Sequence, residues 1–375
     1  MTNSAIAASP NAGATGCSPE ARRAPKFAKD GGFRRDLQVK VDAYFAQTGL
    51  PERDVGAMYR KTVVILLAFL GTWLAMVFGH LPVYALILLA IAHGLSVAAI
   101  GMSIMHDANH GGYSAHPAVN HVLGWTLDFL GCSSWVWKTK HNTVHHTWTN
   151  MVGVDDDLEA GFLARMAPGQ PRRPWHRLQH WYVWFLYALL LPKWVLVDDW
   201  YNLSLHRVGL TPLPPPPLRQ WASLLLGKTL FILWSFVLPA YLHGFWPVLG
   251  LWLLASSTVG VVLGITFQLA HCVDTATFSE QSQPLTRDWA EHQLATTVDF
   301  APGNRLLTWY VGGLNYQVVH HLFPRICHVH YPKMAAIIAQ TAQDHGLMYR
   351  AQPTVWAALR SHVRWLRKMG LPTAA

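Results

Sequence analysis

The histidines of this chain fall into four groups whose spacing suits metal ligation. His106-Asp107-Ala108-Asn109-His110 comes first, then His141-Asn142-Thr143-Val144-His145-His146, then His271, and last Gln317-Val318-Val319-His320-His321. On a helix, residues three or four apart share a face. His106 with His110, His141 with His145, and Gln317 with His320 and His321 therefore each aim two or three donors in one direction. Imidazole binds iron, copper, nickel and zinc alike, so residue type leaves the metal open. Number is more informative: eight histidines and a glutamine exceed what one four- to six-coordinate ion accepts, and the pattern implies two ions. A lone histidine often does no more than satisfy the backbone, but so many polar rings beside apolar segments are costly unless they bind something. Asp107, Asp155 and Asp157 stand beside the first two groups. Carboxylates commonly receive the free N–H of a ligating histidine and fix its ring. The plainer reading of Asp155-Asp156-Asp157 is a solvated acidic turn.

What positions these groups is a set of long apolar segments. Of 375 residues 51% are hydrophobic and only 13% are charged, with 18 Trp and 12 Tyr. Soluble domains carry about a quarter charged residues, so the deficit points to lipid as solvent. In so apolar a chain, a net charge of +9 reads as attraction to anionic headgroups rather than to nucleic acid. Four cysteines without a CxxC pair indicate neither an iron–sulfur site nor a disulfide framework. Residues 1–32, rich in Ala, Ser, Pro and Gly, are expected to be a disordered tail, with one continuous domain over 33–375. The stripe Phe33, Leu37, Val41, Tyr44 and Phe45 predicts an amphipathic helix on the membrane surface.

Residues 62–78, 81–104, 222–243 and 245–270 are each apolar enough to span a bilayer. The very short connections inside each pair make two helical hairpins. Neither turn contains Lys or Arg, whereas the regions flanking the hairpins do. The active site and both termini are therefore expected on the cytoplasmic side. Residues 121–137, interrupted by Asp128, and 181–197, broken by Pro192 and Lys193, read as interfacial or cap helices. The expected architecture is all-α: four transmembrane helices in two hairpins, with a cytoplasmic helical cap holding a dimetal centre. Lys228 is expected to snorkel from the third span, and Lys140 to meet a headgroup or a substrate phosphate.

Taken in order, HDANH, HNTVHH and QVVHH resemble the three histidine boxes of the membrane fatty acid desaturase family, and the likeness covers roughly residues 33–350. Gln317 in the third box is similar to the front-end subgroup, which inserts a double bond between an existing one and the carboxyl end. The resemblance implies ligation of two iron ions by His106, His110, His141, His145, His146, His271, His320 and His321. Gln317 would bind weakly, hold a water or orient a neighbour. Asp107, Asp155 and Asp157 would stand behind the ligands. Family members place a polar residue one turn before the span-exit histidine, where this chain has Phe267, with Gln268 beside it. The family's oxygen-dependent chemistry removes hydrogens from adjacent methylenes that carry no acidic proton, so the cofactor must do the hard step. Trp125, Trp135, Trp137 and Trp309 are candidate walls of an acyl tunnel, with ordinary packing the alternative.

The implied substrate is an acyl chain on a phospholipid, coenzyme A or acyl carrier protein, held against membrane lipid. The His-Pro-Gly-Gly mark of a fused haem domain is not found; the nearest run, His116-Pro117-Ala118, reads as a turn. Electrons are therefore expected from a separate ferredoxin or cytochrome. The same scaffold would also suit an acyl hydroxylase, an acetylenase, or a carotenoid ketolase or hydroxylase. A histidine-rich metal transporter is disfavoured, because transporters put polar ligands near the bilayer midplane and these spans are nearly free of them.

Overall fold

The computed structural model describes residues 25–372. Of the expected tail, residues 1–24 lie outside the described residues. Residues 25–32 run without helix or strand, and the Ala28 and Gly31 N–H groups donate to the Arg287 carbonyl (3.0 Å) and the Asp288 carboxylate (2.9 Å). Beyond them the described chain is mostly helical, and its strands are two-residue pairs.

Four helices are long and apolar enough to cross a membrane: α2 (Gly56–Phe78), α3 (Val83–His110), α6 (Leu218–His243) and α7 (Phe245–His271). They agree with the expected spans. Leu67, Leu70, Leu88, Leu225 and Trp246 point outward from them and are exposed, an apolar girdle that only lipid would solvate without cost. The two hairpin turns lie at one end of this bundle, and α3 and α7 pack along each other. Their C-terminal ends therefore bring His106, His110 and His271 together at the opposite end.

The apolar run after the second box forms a bent pair, α4 (Pro174–Ala188) and α5 (Leu190–Leu205), meeting at 58°. It is more than an interfacial cap. Tyr187 and Ala188 press against α7 at Gly260 and Gly264, where a Cβ would collide with the Tyr187 carbonyl and ring. Two small residues four apart allow this close helix crossing. Gly260 lies eleven residues before His271, about 16 Å along the helix. Its start packs on Gly370, and Gly209 after its end packs on the Val154 carbonyl.

The expected surface helix is α1 (Phe33–Thr48), and its apolar stripe is not turned to lipid. Phe33, Leu37, Val41 and Phe45 are buried against α8 (Trp289–Thr296) and α10 (Tyr331–Asp344), in one cluster with Val318, Val319 and Leu322. The correction is physical: an apolar stripe is covered equally well by protein, and its partner residues are scattered over 290–342. Lys228 does not snorkel either. It is buried, pairs with Asp199 at 2.9 Å and donates to the Gly131 and Val195 carbonyls, tying α6 to the bent pair.

Because Leu37 is buried against protein, Leu37→Ala should lower the stability of the detergent-solubilised protein by about 2–5 kcal/mol, read as a fall in melting temperature. A helix lying on lipid would show almost no change in that measurement.

Candidate metal centre

All eight histidines of the four groups converge on one buried cluster. His106, His110, His141 and His320 each bring a ring nitrogen to a common site, all within 4.8 Å of one another, and His145, His271 and His321 do the same. His146 stands between the sets, its ring 4.6 Å from that of His320 and stacked at 4.3 Å on His321.

Local backbone geometry makes this convergence possible. Gly101–Met105, just before His106, and Lys138–His145 in the second box are both π-helical, a wide turn often found at functional sites. In the second box the His146 N–H donates to the His141 carbonyl five residues back at 3.0 Å. That extra residue per turn sets His145 and His146 on either side of His141, so three donors share one patch where an α-helix would align two. The third box sits on α9 (Gln317–Leu322). The loop before it carries Gly312 at φ +63°, where a Cβ would strike the Met102 carbonyl of α3. Only glycine lets this loop cross so close beneath His106.

Outer contacts fix several rings. The His145 Nδ1 meets the Asp155 carboxylate at 3.0 Å, the His321 Nδ1 meets the Gln293 Oε1 at 2.9 Å, and the His320 Nδ1 approaches the Tyr331 hydroxyl at 3.3 Å. An acceptor on Nδ1 leaves the Nε2 lone pair free to point inward. The Nε2 atoms of His110, His320 and His321, and both nitrogens of His271, are buried without a hydrogen-bond partner. Such orphans are expensive unless something occupies the space between them. The Nε2 of His141 stands 3.2 Å from that of His106 and 3.3 Å from that of His146. Nitrogens sharing one ion through bonds of about 2.1 Å lie about 3.0–3.4 Å apart. The donor set therefore fits a metal centre.

Electrostatics agree with that fit. Burial pushes His141 down to about 3 and holds His146, His320 and His321 well below the ordinary imidazole value. These rings are neutral and ready to ligate, since a metal competes with protons for the same lone pair. His145 differs: burial pulls it down, but Asp155 outweighs that and carries it above the ordinary value.

The three carboxylates behave differently from one another. Asp155 bonds to His145 as expected. Asp107 lies 3.8 Å from the His106 Nδ1 and bonds instead to His328 at 2.8 Å. Asp157 is 3.6 Å from His145 and 3.8 Å from His141, and it pairs with Lys140 at 3.3 Å. Lys140 also pairs with Asp156 at 2.9 Å, so two carboxylates of the same turn already meet its charge. Gln317 is buried one turn before His320, its Nε2 without a partner. Phe267 turns its ring edge toward His141 at 6.2 Å, so an apolar contact replaces the expected polar one. Trp137 stacks on His141 at 4.5 Å and is the one candidate wall at the cluster. Trp125 bonds to Ser223, Trp135 packs beside Val136 and Leu224, and Trp309 is half-exposed. An apolar cavity of about 510 Å³ opens between the hairpins, its nearer edge at Val97 and Val259.

Gln293, Tyr331 and His328 were not among the candidates drawn from the sequence. His328 follows the third box closely and, as another clustered histidine, carried a usable signal. Gln293 and Tyr331 carried none. Asp299 also holds the third box: it accepts from the Val318 N–H at 2.9 Å and from the Tyr349 hydroxyl.

Comparison with known proteins agrees with this geometry. The family model described as fatty acid desaturase matches residues 80–353. The chain is 39% identical to the sn-1 linoleoyl-lipid 6-desaturase of Arthrospira platensis, over 92% of this chain and 94% of that protein. It is 38% identical to the protein of the same name from Synechocystis sp., over 92% and 97%. Identity to the acyl-lipid (8-3)-desaturase of Physcomitrium patens is 32%, over 89% and 71%. The chain belongs to the fatty acid desaturase family. It is an integral membrane oxidoreductase that desaturates fatty acyl chains.

Two outcomes follow from these contacts. Gln293→Leu removes the nearer acceptor of the His321 Nδ1, leaving only the Thr149 hydroxyl at 3.2 Å, and should weaken metal retention about 10-fold in a chelator titration, while Gln293→Glu should keep it. Burial raises Asp299 to about 7 from 3.8. Its contribution to stability is therefore full below about pH 4 and lost as pH rises through about 7. Asp299→Asn, which resembles the neutral acid, should out-melt the wild type by a margin that widens from pH 5 to pH 7, on the order of 1 kcal/mol per pH unit, and is constant above.

Proposed function

We propose that the chain is an oxygen-dependent di-iron desaturase acting on a lipid-linked acyl chain, with a front-end position of attack. The observation that carries this is the eight-histidine cluster at the ends of α3 and α7, with its unpartnered buried nitrogens. On this reading His106, His110, His141 and His320 hold one ion, His145, His271 and His321 hold the other, and His146 lies between. Gln317 is a weak ligand or holds a water. Iron is favoured over other imidazole-binding metals because the family's reaction needs a centre that works with oxygen and electrons.

The reaction is oxidative: an acyl –CH2–CH2– unit, one O2, two electrons and two protons give an alkene and two waters. Two bound iron ions would supply the hydrogen-abstracting power that no side chain has. The protein's own residues do the rest. Asp155, Gln293 and Tyr331 hold the rings of His145, His321 and His320 by their Nδ1 atoms. The stacked Trp137 and the edge of Phe267 keep the acyl side of His141 apolar and dry. The cavity edge at Val97 is nine residues before His106, about 14 Å along α3, a direction in which an acyl tail would run into the bundle.

An acyl-lipid substrate with attack near carbon 6 is supported by the names of the two relatives at 38–39% identity. The two electrons come from a separate ferredoxin or cytochrome. Residues 33–375 form the catalytic domain. The histidine end of the bundle and both termini face the cytoplasm, supported by the lack of Lys and Arg in the two hairpin turns.

The test is the fatty-acid profile of a host expressing the wild type against His145→Ala and His320→Ala, with double bonds located by mass spectrometry. A new alkene on the carboxyl side of an existing one, in the wild type only, is expected. A hydroxylated product would replace desaturation with hydroxylation, and full turnover in either variant would remove those residues from the metal centre.

A further inference from the structure

We infer that His328 and Lys61 are positioning residues for the first histidine box, a brace that runs from the first span to the metal-binding cluster. This rests on the ligand assignment proposed above.

Three buried groups stand in line. The Lys61 Nζ is 2.9 Å from the His328 Nε2, and the His328 Nδ1 is 2.8 Å from the Asp107 Oδ2. Lys61, His328 and Asp107 are each at most 5% exposed. An ammonium only donates, so the His328 Nε2 must accept, and its Nδ1–H then donates to the carboxylate. The His328 backbone N–H adds a second bond to the same oxygen at 3.2 Å. The other oxygen of Asp107 faces the His106 Nδ1 at 3.8 Å, an atom with no hydrogen-bond partner.

Chain origin argues for a purpose. Lys61 is on α2, which gives no residue to the cluster, and a buried cation so near the membrane is costly without a counter-charge. Asp107 is that counter-charge, reached through His328. The same short segment supports a second ring: Tyr331, three residues on, meets the His320 Nδ1. His106 and His320 belong to the same four-histidine set, their rings 4.5 Å apart. Residues 328–331 thus meet the His320 ring directly and the first box at Asp107, the residue next to His106, and Lys61 anchors that segment to the first span.

The experiment is iron retention by the purified full-length protein in lipid nanodiscs, titrated with a chelator and read by elemental analysis. Size-exclusion profiles run alongside report folding. The wild type should hold two irons. His328→Ala and Lys61→Met should release one of the two at about 10- to 100-fold lower chelator concentration. His328→Asn, whose amide can still donate to Asp107, and Lys61→Arg should recover most of the loss. A general packing defect would not show that rescue. Should His328→Ala fail to fold, Lys61→Met keeps the stem and is read in the same way. Wild type without iron would defeat the ligand assignment itself. Two irons held equally well by wild type, His328→Ala and Lys61→Met would overturn the brace alone.

Discussion

The structure depends on one constraint: eight imidazoles are removed from water at the end of an apolar bundle, with several ring nitrogens left without partners. Each buried orphan nitrogen costs on the order of 1–3 kcal/mol, so such a cluster survives only if something else fills it or the surroundings hold it open. Outer contacts divide that work. Asp155, Gln293 and Tyr331 grip Nδ1 atoms from behind and turn the Nε2 lone pairs inward. Burial keeps most of the cap rings neutral. The donors are thereby held in register by the protein's own contacts, the preorganisation that a metal site needs.

The membrane bundle supplies the rigidity. Antiparallel hairpins put the exits of α3 and α7 side by side, and the close crossing of α4 on Gly260 and Gly264 fixes α7 against the bent pair. Lys228 and Asp199 tie α6 to that same pair. Breaking a buried ion pair by removing one partner commonly costs about 3–5 kcal/mol. These polar links inside an apolar shell specify which helices meet, which hydrophobicity alone does not.

Much of this was legible in the sequence, because the signals were long or repeated. Four apolar runs with almost no linking residues read directly as two hairpins, and three histidine boxes in order read as one site. The residues missed share a physical reason. A π-turn has no composition mark, so the helical rule for His141 and His145 left the wide turn that recruits His146 unseen. Gln293 acts through one hydrogen bond across the fold and has no neighbour in sequence to betray it. The stripe of α1 was read correctly as apolar and wrongly as lipid-facing, since an amphipathic face does not say what covers it. Lys228 failed in the same way: a lone cation in an apolar run looks able to reach water until the fold brings Asp199 to it.

The central claim is that the cluster is a two-iron site. It is tested most directly by an anomalous difference map at the iron edge from crystals of the iron-loaded protein. Two peaks are predicted, one among His106, His110, His141 and His320 and one among His145, His271 and His321. A single peak, or iron bound away from these rings, would contradict the account.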